Sequence, residues 1–249
     1  MIFIKSAAEA AEMRKACRLT AQCMGIVAAL VRPGVTTAEL DKAADAFIRG
    51  NGGLPTFKGY NGYPANICTS VNEEVVHGIP GSRILKEGDI VGIDLGAVLC
   101  GYTGDMTRTF AVGSISAEAA RLVDAARDCF FKALEVVKPG ARIGDIGWAV
   151  QKHAEGLGYS VVKDLCGHGV GRNLHEEPEV PNFGRPGRGV RLEAGMTLAI
   201  EPMINQGGWQ VEFDKGNGWT VRTADSKLSA HYEETVLVTA DGAEIMTAP

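Results

Sequence analysis

The sequence lacks the features that would place it in several large classes. Its six cysteines, at positions 17, 23, 68, 100, 129 and 166, form no CxxC pair and no zinc-ribbon spacing. A disulfide scaffold and a thiolate metal cluster are both excluded as its organising principle, and most of these thiols read as small apolar fillers. The longest uncharged apolar stretch, Leu19 to Val31, is too short to span a bilayer. The N-terminus "MIFIKSAAEA" has no basic segment followed by a long apolar run and a small-residue cleavage site, so a secretory signal is not expected, and a cytoplasmic location is. There is no excess of basic residues: the formal net charge is -5. A surface built to neutralise many phosphates is therefore not expected, and nucleic acid and membrane are poor candidates as partners. Nor does a low-complexity linker divide the 249 residues.

What remains is an ordinary globular composition, 45% hydrophobic and 22% charged, in a chain long enough to bury a large core. Ser6 and Glu9 have capping-box spacing, which predicts a long first helix running toward Val31, where "RPG" stops it. Thr36 and Glu39 repeat the signal. Leu40, Ala43, Ala44 and Phe47 then fall at helical spacing up to Gly50. From Ile84 onward β-branched residues, glycine and threonine mix in "ILKEGDIVGIDLGAVLCGYTGDMTRTFAVG", which predicts strands joined by tight turns. The pattern then restarts. "SISAEAARLVDAARDCFFKALEVVKPG" predicts a second long capped helix, a shorter one follows from about Ile143 to Gly156, and strands return in "AGMTLAIEPMI" and "HYEETVLVTADG".

Superposing the halves makes the restart concrete. "VRPGVTTAELDKAADAFIRGNGG" from Val31 aligns with "VKPGARIGDIGWAVQKHAEGLGY" from Val137, and "EGDIVGIDLG" aligns with "AGMTLAIEPM" with one residue more of offset. Any two helix-stop-helix units resemble each other, but that does not account for the second match. An internal duplication is the better reading, giving an α+β chain over 1–249 with pseudo-symmetric halves of about 6–112 and 113–245, helices outside and strands inside.

The second alignment sets Asp94 opposite Glu201, each at the end of an otherwise apolar strand. Carboxylates rarely sit in such strands unless paired or coordinating a cation. Asp105 follows Asp94 across a hairpin-length segment, and Glu233 enters another apolar strand. "GHGVGRNLHEEP", residues 167 to 178, adds His168 and His175. Four carboxylates in a small volume raise one another's pKa sharply, and two divalent ions relieve the repulsion. Oxygen donors with an imidazole suit Mn, Fe, Co or Zn. The glycines around His168 are no nucleotide fingerprint, because no strand-to-helix unit with a trailing acid surrounds them.

Taken in order, "VNEEVVHGIP", "IDLGAVLCGYTGDMTRTF", "GHGVGRNLHEEP", "AIEPM" and "HYEETV" resemble type I methionine aminopeptidases of the pita-bread metallopeptidase family, from about Lys5 to Thr247. The resemblance implies a curved antiparallel sheet covered by helices. It implies two divalent metal ions held by Asp94, Asp105, His168, Glu201 and Glu233, with Asp105 and Glu233 bridging. Glu233, which follows Tyr232, is the expected ligand, and strand alternation turns Glu234 to the other face. It also implies catalytic roles for His77, His175 and Glu201: His175 polarising the scissile carbonyl, His77 touching the peptide or the reaction intermediate, and Glu201 shuttling the proton.

The methionine pocket implied by the same resemblance is lined by Phe57, Tyr60, Tyr63, Cys68, Leu174 and Trp219. Phe57 stands where the best-known bacterial pattern has a cysteine, and Leu174 where it has an aromatic. The implied activity is removal of the N-terminal methionine from nascent proteins and peptides, favoured by a small second residue, by a monomer that meets its substrates at the ribosome. His153 and His231 read as structural. The competing readings are an Xaa-Pro-directed aminopeptidase of the same fold, which usually carries an added N-terminal domain, a catalytically dead pita-bread module that only binds peptide or protein, and a carboxylate-lined metal-storage protein.

Overall fold

The helix starts follow from their caps. In the computed structural model, which describes residues 1–248, the Ser6 hydroxyl accepts the Glu9 N–H while the Glu9 carboxylate accepts the Ser6 N–H, opening α1 (Ala7–Ala28). Thr36 and Glu39 do the same for α2 (Thr37–Gly50). Each box satisfies two N–H groups that the helix itself leaves unpaired. α1 stops three residues short of Val31, because its last turn tightens: Leu30 donates to the Val27 carbonyl and Val31 to the Ala28 carbonyl. Two further helices, α3 (Ala117–Leu134) and α4 (Ile143–Gly156), repeat the pair. α2 and α4 have 14 residues each and begin 106 positions apart, at Thr37 and Ile143, which is the offset expected of a duplicated unit.

The strands β1 (Leu54–Pro55), β2 (Cys68–Val71) and β3 (Glu74–Val76) precede a long hairpin, β4 (Ile90–Leu99) and β5 (Tyr102–Ala111). After α4 come β6 (Ser160–Val161), β7 (Cys166–Gly169), β8 (Glu176–Pro181), β9 (Thr197–Ile200) and β10 (Met203–Asn205). The chain closes with β11 (Val211–Phe213), β12 (Val221–Thr223), β13 (Ser229–His231), β14 (Glu233–Val238) and β15 (Ala243–Ile245). The main antiparallel sheet runs β1-β4-β5-β14-β9-β7-β8, with β2 beside β4 and β15 beside β14. Two small sheets, β13-β10-β6 and β11-β12-β3, flank it. The α1/α2 pair packs over one half with Leu40, Ile48, Ile67, Ile93 and Leu95, and the α3/α4 pair over the other with Leu122, Phe130, Ile146, Leu198 and Val236. This is the pita-bread α+β arrangement anticipated above.

Two expected strands are broken, and the breaks matter. "AGMTLAIEPMI" divides into β9 and β10 with Glu201 and Pro202 between them. Pro202 lacks the N–H that a continuous ladder needs. "HYEETVLV" divides at Tyr232, whose N–H donates to the Pro202 carbonyl. At both breaks the chain passes between the main sheet and a small one. Asp94, expected at a strand end, instead lies in the middle of β4, because the strand continues through Leu99.

A candidate metal centre on one face of the central sheet

Register brings the carboxylates together. Asp94 pairs with Thr107 across β4 and β5, and Gly96 with Asp105. Thr107 also faces Glu233 on β14. Farther along, Thr235 of β14 faces Ala199 of β9, and Ala199 faces His168 of β7. Alternate residues of a strand share a face. Asp94, Asp105, His168 and Glu233 therefore project from the same side, and Glu201 follows at the end of β9. Threonines fill the spaces between them. The Thr107 hydroxyl donates to Glu233 Oε2 at 2.8 Å, and Thr235 Oγ1 accepts the Asp105 N–H at 3.0 Å and donates to the Asp105 carbonyl at 2.9 Å.

His168 is aimed by its own backbone neighbourhood. Its Nδ1 lies 2.9 Å from the Gly169 carbonyl, an acceptor that requires the proton on Nδ1 and leaves the Nε2 lone pair facing the carboxylates. From Nε2, Asp105 Oδ2 is 3.7 Å away and Glu201 Oε1 3.6 Å. Both flanking glycines are needed: a Cβ at Gly167 would lie 2.4 Å from the Ala199 carbonyl oxygen, and one at Gly169 would lie 2.3 Å from that of Glu177. Glu234, next to Glu233, points to the opposite face, where Arg108 and the Thr247 hydroxyl donate to its carboxylate.

The electrostatics are those of a site short of positive charge. Burial pushes Asp94 up to about 7, with Glu201 adding to the rise against a lowering by His231. Burial pushes Glu201 up to about 8. Asp105 and Glu233 are raised well above the carboxylate range, first by burial and then by each other's neighbours. Burial lowers His168 to about 3 and His77 to about 4, so both stay neutral. Asp94 Oδ1 and Asp105 Oδ1 are buried without a hydrogen-bond partner. Ligand atoms of Asp105, His168 and Glu233 all lie within 4.8 Å of one another. Buried orphan oxygens and a neutral imidazole with its lone pair turned inward fit divalent cations, which would neutralise the cluster and satisfy the orphans.

Above this face opens a cavity of about 230 Å³ lined by every site residue singled out from the sequence, together with Asn61. Phe57, Tyr63, Cys68 and Leu174 are buried against one another, with Tyr60, Ile79 and Trp219 at their edge. The Tyr63 and Trp219 rings meet edge to face at 5.1 Å. His175 stands at the mouth, its ring 4.1 Å from that of His168 and its Nδ1 2.6 Å from the Tyr60 hydroxyl. His77 adopts φ 58, a left-handed conformation that few side chains take, and its ring lies edge-on to Trp219. Both adjoin the small sheet β11-β12-β3, His77 directly after β3 and Trp219 in the connection from β11 to β12. Buried Glu74 on β3 accepts from Arg83 and Arg222 and ties this sheet down.

Sequence reasoning missed several members of the site. Asn61 sits in the "KGYNGYP" turn with φ 48. Thr107 and Thr235 act through register, which no motif announces. Asn182 Nδ2 donates to the Glu201 carbonyl at 2.9 Å. His231 was expected to be structural, and it is buried, yet its Nε2 lies 3.3 Å from Glu201 Oε2. Its place immediately before "YE" was the available signal. His153 lies outside the cavity, on α4, as expected of a structural residue.

Comparison with known proteins agrees with this geometry. A family model described as metallopeptidase family M24 matches residues 11–240. The chain is 50% identical to the methionine aminopeptidase of Clostridium acetobutylicum over 99% of both proteins, and 47% identical to methionine aminopeptidase 1 of Bacillus subtilis over 99% of both. The crystal structure of the Rickettsia prowazekii methionine aminopeptidase superposes with a TM-score of 0.98 at 44% identity over the whole of both chains. The Pyrococcus furiosus prolidase, at 24% identity and a TM-score of 0.80, shares the fold, and the match spans 65% of that chain.

Proposed function

The chain belongs to metallopeptidase family M24 and, within it, to the type I methionine aminopeptidases, and from that premise we propose how its own residues release an N-terminal methionine. The observation that carries the proposal is the register that sets Asp94, Asp105, His168 and Glu233 on one face, with Glu201 following β9, so that all five line one cavity together with an aromatic and aliphatic wall. These five are the residues that would hold the two divalent ions proposed for the site, Asp105, His168 and Glu233 being those whose ligand atoms lie within 4.8 Å of one another. Mn, Fe, Co and Zn all suit the donor set. When bound, divalent ions supply Lewis acidity and lower the pKa of a water to near neutrality.

The protein's groups do the rest. Glu201 is the proposed proton carrier: its carboxylate, at the end of β9 and on the wall of the cavity, can take a proton from the attacking water and give it to the departing amine. His175, at the mouth and steadied by the Tyr60 hydroxyl, donates toward the scissile carbonyl oxygen. His77, neutral and held in a constrained backbone conformation, faces the peptide beyond the bond. Phe57, Tyr60, Tyr63, Cys68, Leu174 and Trp219 take the methionine side chain, whose polarizable sulfur is favoured by aromatic and soft neighbours. Phe57 and Leu174 complete that pocket in this chain, and both are buried.

A preference for a small second residue is proposed with this activity, on the resemblance of the motifs rather than on the cavity. Nascent polypeptide N-termini are the proposed substrates, met at the ribosome in the cytoplasm by a monomer. Among the described residues no helix is long and apolar enough to cross a membrane. The direct test strips the protein with chelator, restores Mn, Co, Fe or Zn one at a time, and measures free methionine from Met-Ala-Ser, Met-Lys-Ser and an Xaa-Pro control. Release from Met-Ala-Ser well above Met-Lys-Ser is expected. Equal rates would overturn the second-residue preference, and cleavage of the Xaa-Pro peptide alone would transfer the protein to the proline-directed branch.

A further inference from the structure

His231 is 4% exposed, and its Nε2 has no hydrogen-bond partner among the described residues. Glu201 Oε2 lies 3.3 Å from that nitrogen, close enough for a hydrogen bond but not aligned for one. A buried polar group left unpaired is costly, and the terminal torsion of the glutamate is soft enough to let its carboxylate turn toward the imidazole. The backbone that carries the imidazole is fixed. The His231 N–H donates to Thr109 Oγ1 at 3.0 Å, the same hydroxyl donates to the His231 carbonyl at 2.8 Å, and His231 faces Met203 across β10 and β13. Two imidazoles thus meet the two oxygens of one carboxylate: His168 Nε2 lies 3.6 Å from Oε1, and His231 lies beside Oε2. His231 is absent from the lining of the catalytic cavity. It lines a separate pocket with Arg108, Thr109 and Arg127.

We propose that His231 is a positioning residue for Glu201: its Nε2–H holds Oε2 and so keeps Oε1 turned into the metal-and-water side of the site. The proposal rests on the aminopeptidase reading of that site. It gives Glu201 one anchored oxygen and one working oxygen, a division that a carboxylate rotating freely between two states would lack. Because His231 does not reach the substrate cavity, its loss should act on kcat rather than on KM.

The test compares His231→Leu, which cannot donate, with His231→Gln, whose amide can reach. Should the leucine variant fail to fold, His231→Asn, one methylene shorter than the glutamine, replaces it. With saturating Co(II) and Met-Ala-Ser, His231→Leu is expected to lower kcat by about 10- to 100-fold and to weaken Co(II) binding, read by calorimetry, by about tenfold. KM should stay within about threefold of wild type, and the metal-free melting temperature should be unchanged. His231→Gln should restore both kcat and affinity to within about fivefold. The proposal is overturned if His231→Leu keeps wild-type kcat and affinity, or if the leucine and glutamine variants are equally impaired. A wild-type protein that releases no methionine under any metal overturns the function reading and this inference with it, whereas an active wild type with indifferent His231 variants overturns the inference alone.

Discussion

Removing the metal should leave a protein whose stability falls as the solution becomes more alkaline. In the metal-free fold, burial raises Asp94 to about 7 and Glu201 to about 8, while an unfolded chain ionises both near pH 4. The folded state therefore holds protons that the unfolded state has lost. That contribution is complete below pH 4, declines as pH rises above it, and is exhausted once pH has passed through the folded values. Each retained proton tilts the unfolding free energy by about 1.4 kcal/mol per pH unit. Integrated from pH 7 to 8.5, Asp94 and Glu201 together remove on the order of 1 to 2 kcal/mol. Asp105 and Glu233, raised further, steepen the fall. The buried histidines act in the opposite direction, since their folded values of about 3 to 4 lie below the unfolded value, but their effect is confined to pH below about 7. For a chain of this length the loss corresponds to a melting-temperature drop of roughly 3–6 °C. Calorimetry or circular dichroism on chelated protein at pH 7.0, 7.5, 8.0 and 8.5 reads it directly. Saturating Co(II) should flatten or reverse the slope, because the ion requires ionised carboxylates. A metal-free melting temperature that is constant or rises over this window would refute the picture of carboxyls kept protonated by burial.

Glu201→Gln should reduce methionine release by about 10²- to 10⁴-fold while leaving the chelated protein at least as thermostable as wild type, since the amide copies the protonated acid; undiminished turnover would remove Glu201 from the mechanism. Arg108→Ala strands the buried Glu234 carboxylate on the far face of β14 and should cost about 3 kcal/mol, seen as a lower denaturation midpoint. A midpoint within error of wild type would show that Thr247 and Tyr232 suffice. Gly169→Ala places a methyl 2.3 Å from the Glu177 carbonyl oxygen and should destabilise by about 2 kcal/mol, with metal affinity falling as His168 is displaced; a variant equal to wild type in both would mean the β7–β8 approach is not a constraint.

Much of the architecture was legible in local chemistry. Ser6 with Glu9, and Thr36 with Glu39, announce helix starts because capping is an interaction across three residues, and the caps form where expected. Residues 143–156 were marked out by repetition alone, and α4 occupies them. The order of the five motifs pointed to metallopeptidase chemistry because ligand types and their spacing are carried in the chain itself. That Glu233 rather than Glu234 faces inward was implied by the resemblance, through its place after Tyr232, and strand alternation then turned Glu234 to the other face.

Other features were decided by contacts between residues distant in sequence. Pro202 marks the break in "AIEPM" locally, but that "HYEET" breaks beside it is set by Tyr232 donating to the Pro202 carbonyl, a pairing across thirty residues. The bonds by which Thr107 holds the Glu233 carboxylate and Thr235 holds the Asp105 backbone are a matter of register between β4, β5 and β14. His231 belongs to the same class: as one letter before "YE" it reads as filler, and only the folding of β13 against β10 carries its Nε2 to Glu201. Sequence determines what each segment does with its near neighbours, since those free energies are local. Which far-separated polar atoms end up buried together, and so must satisfy one another, is fixed only when the sheets close over them.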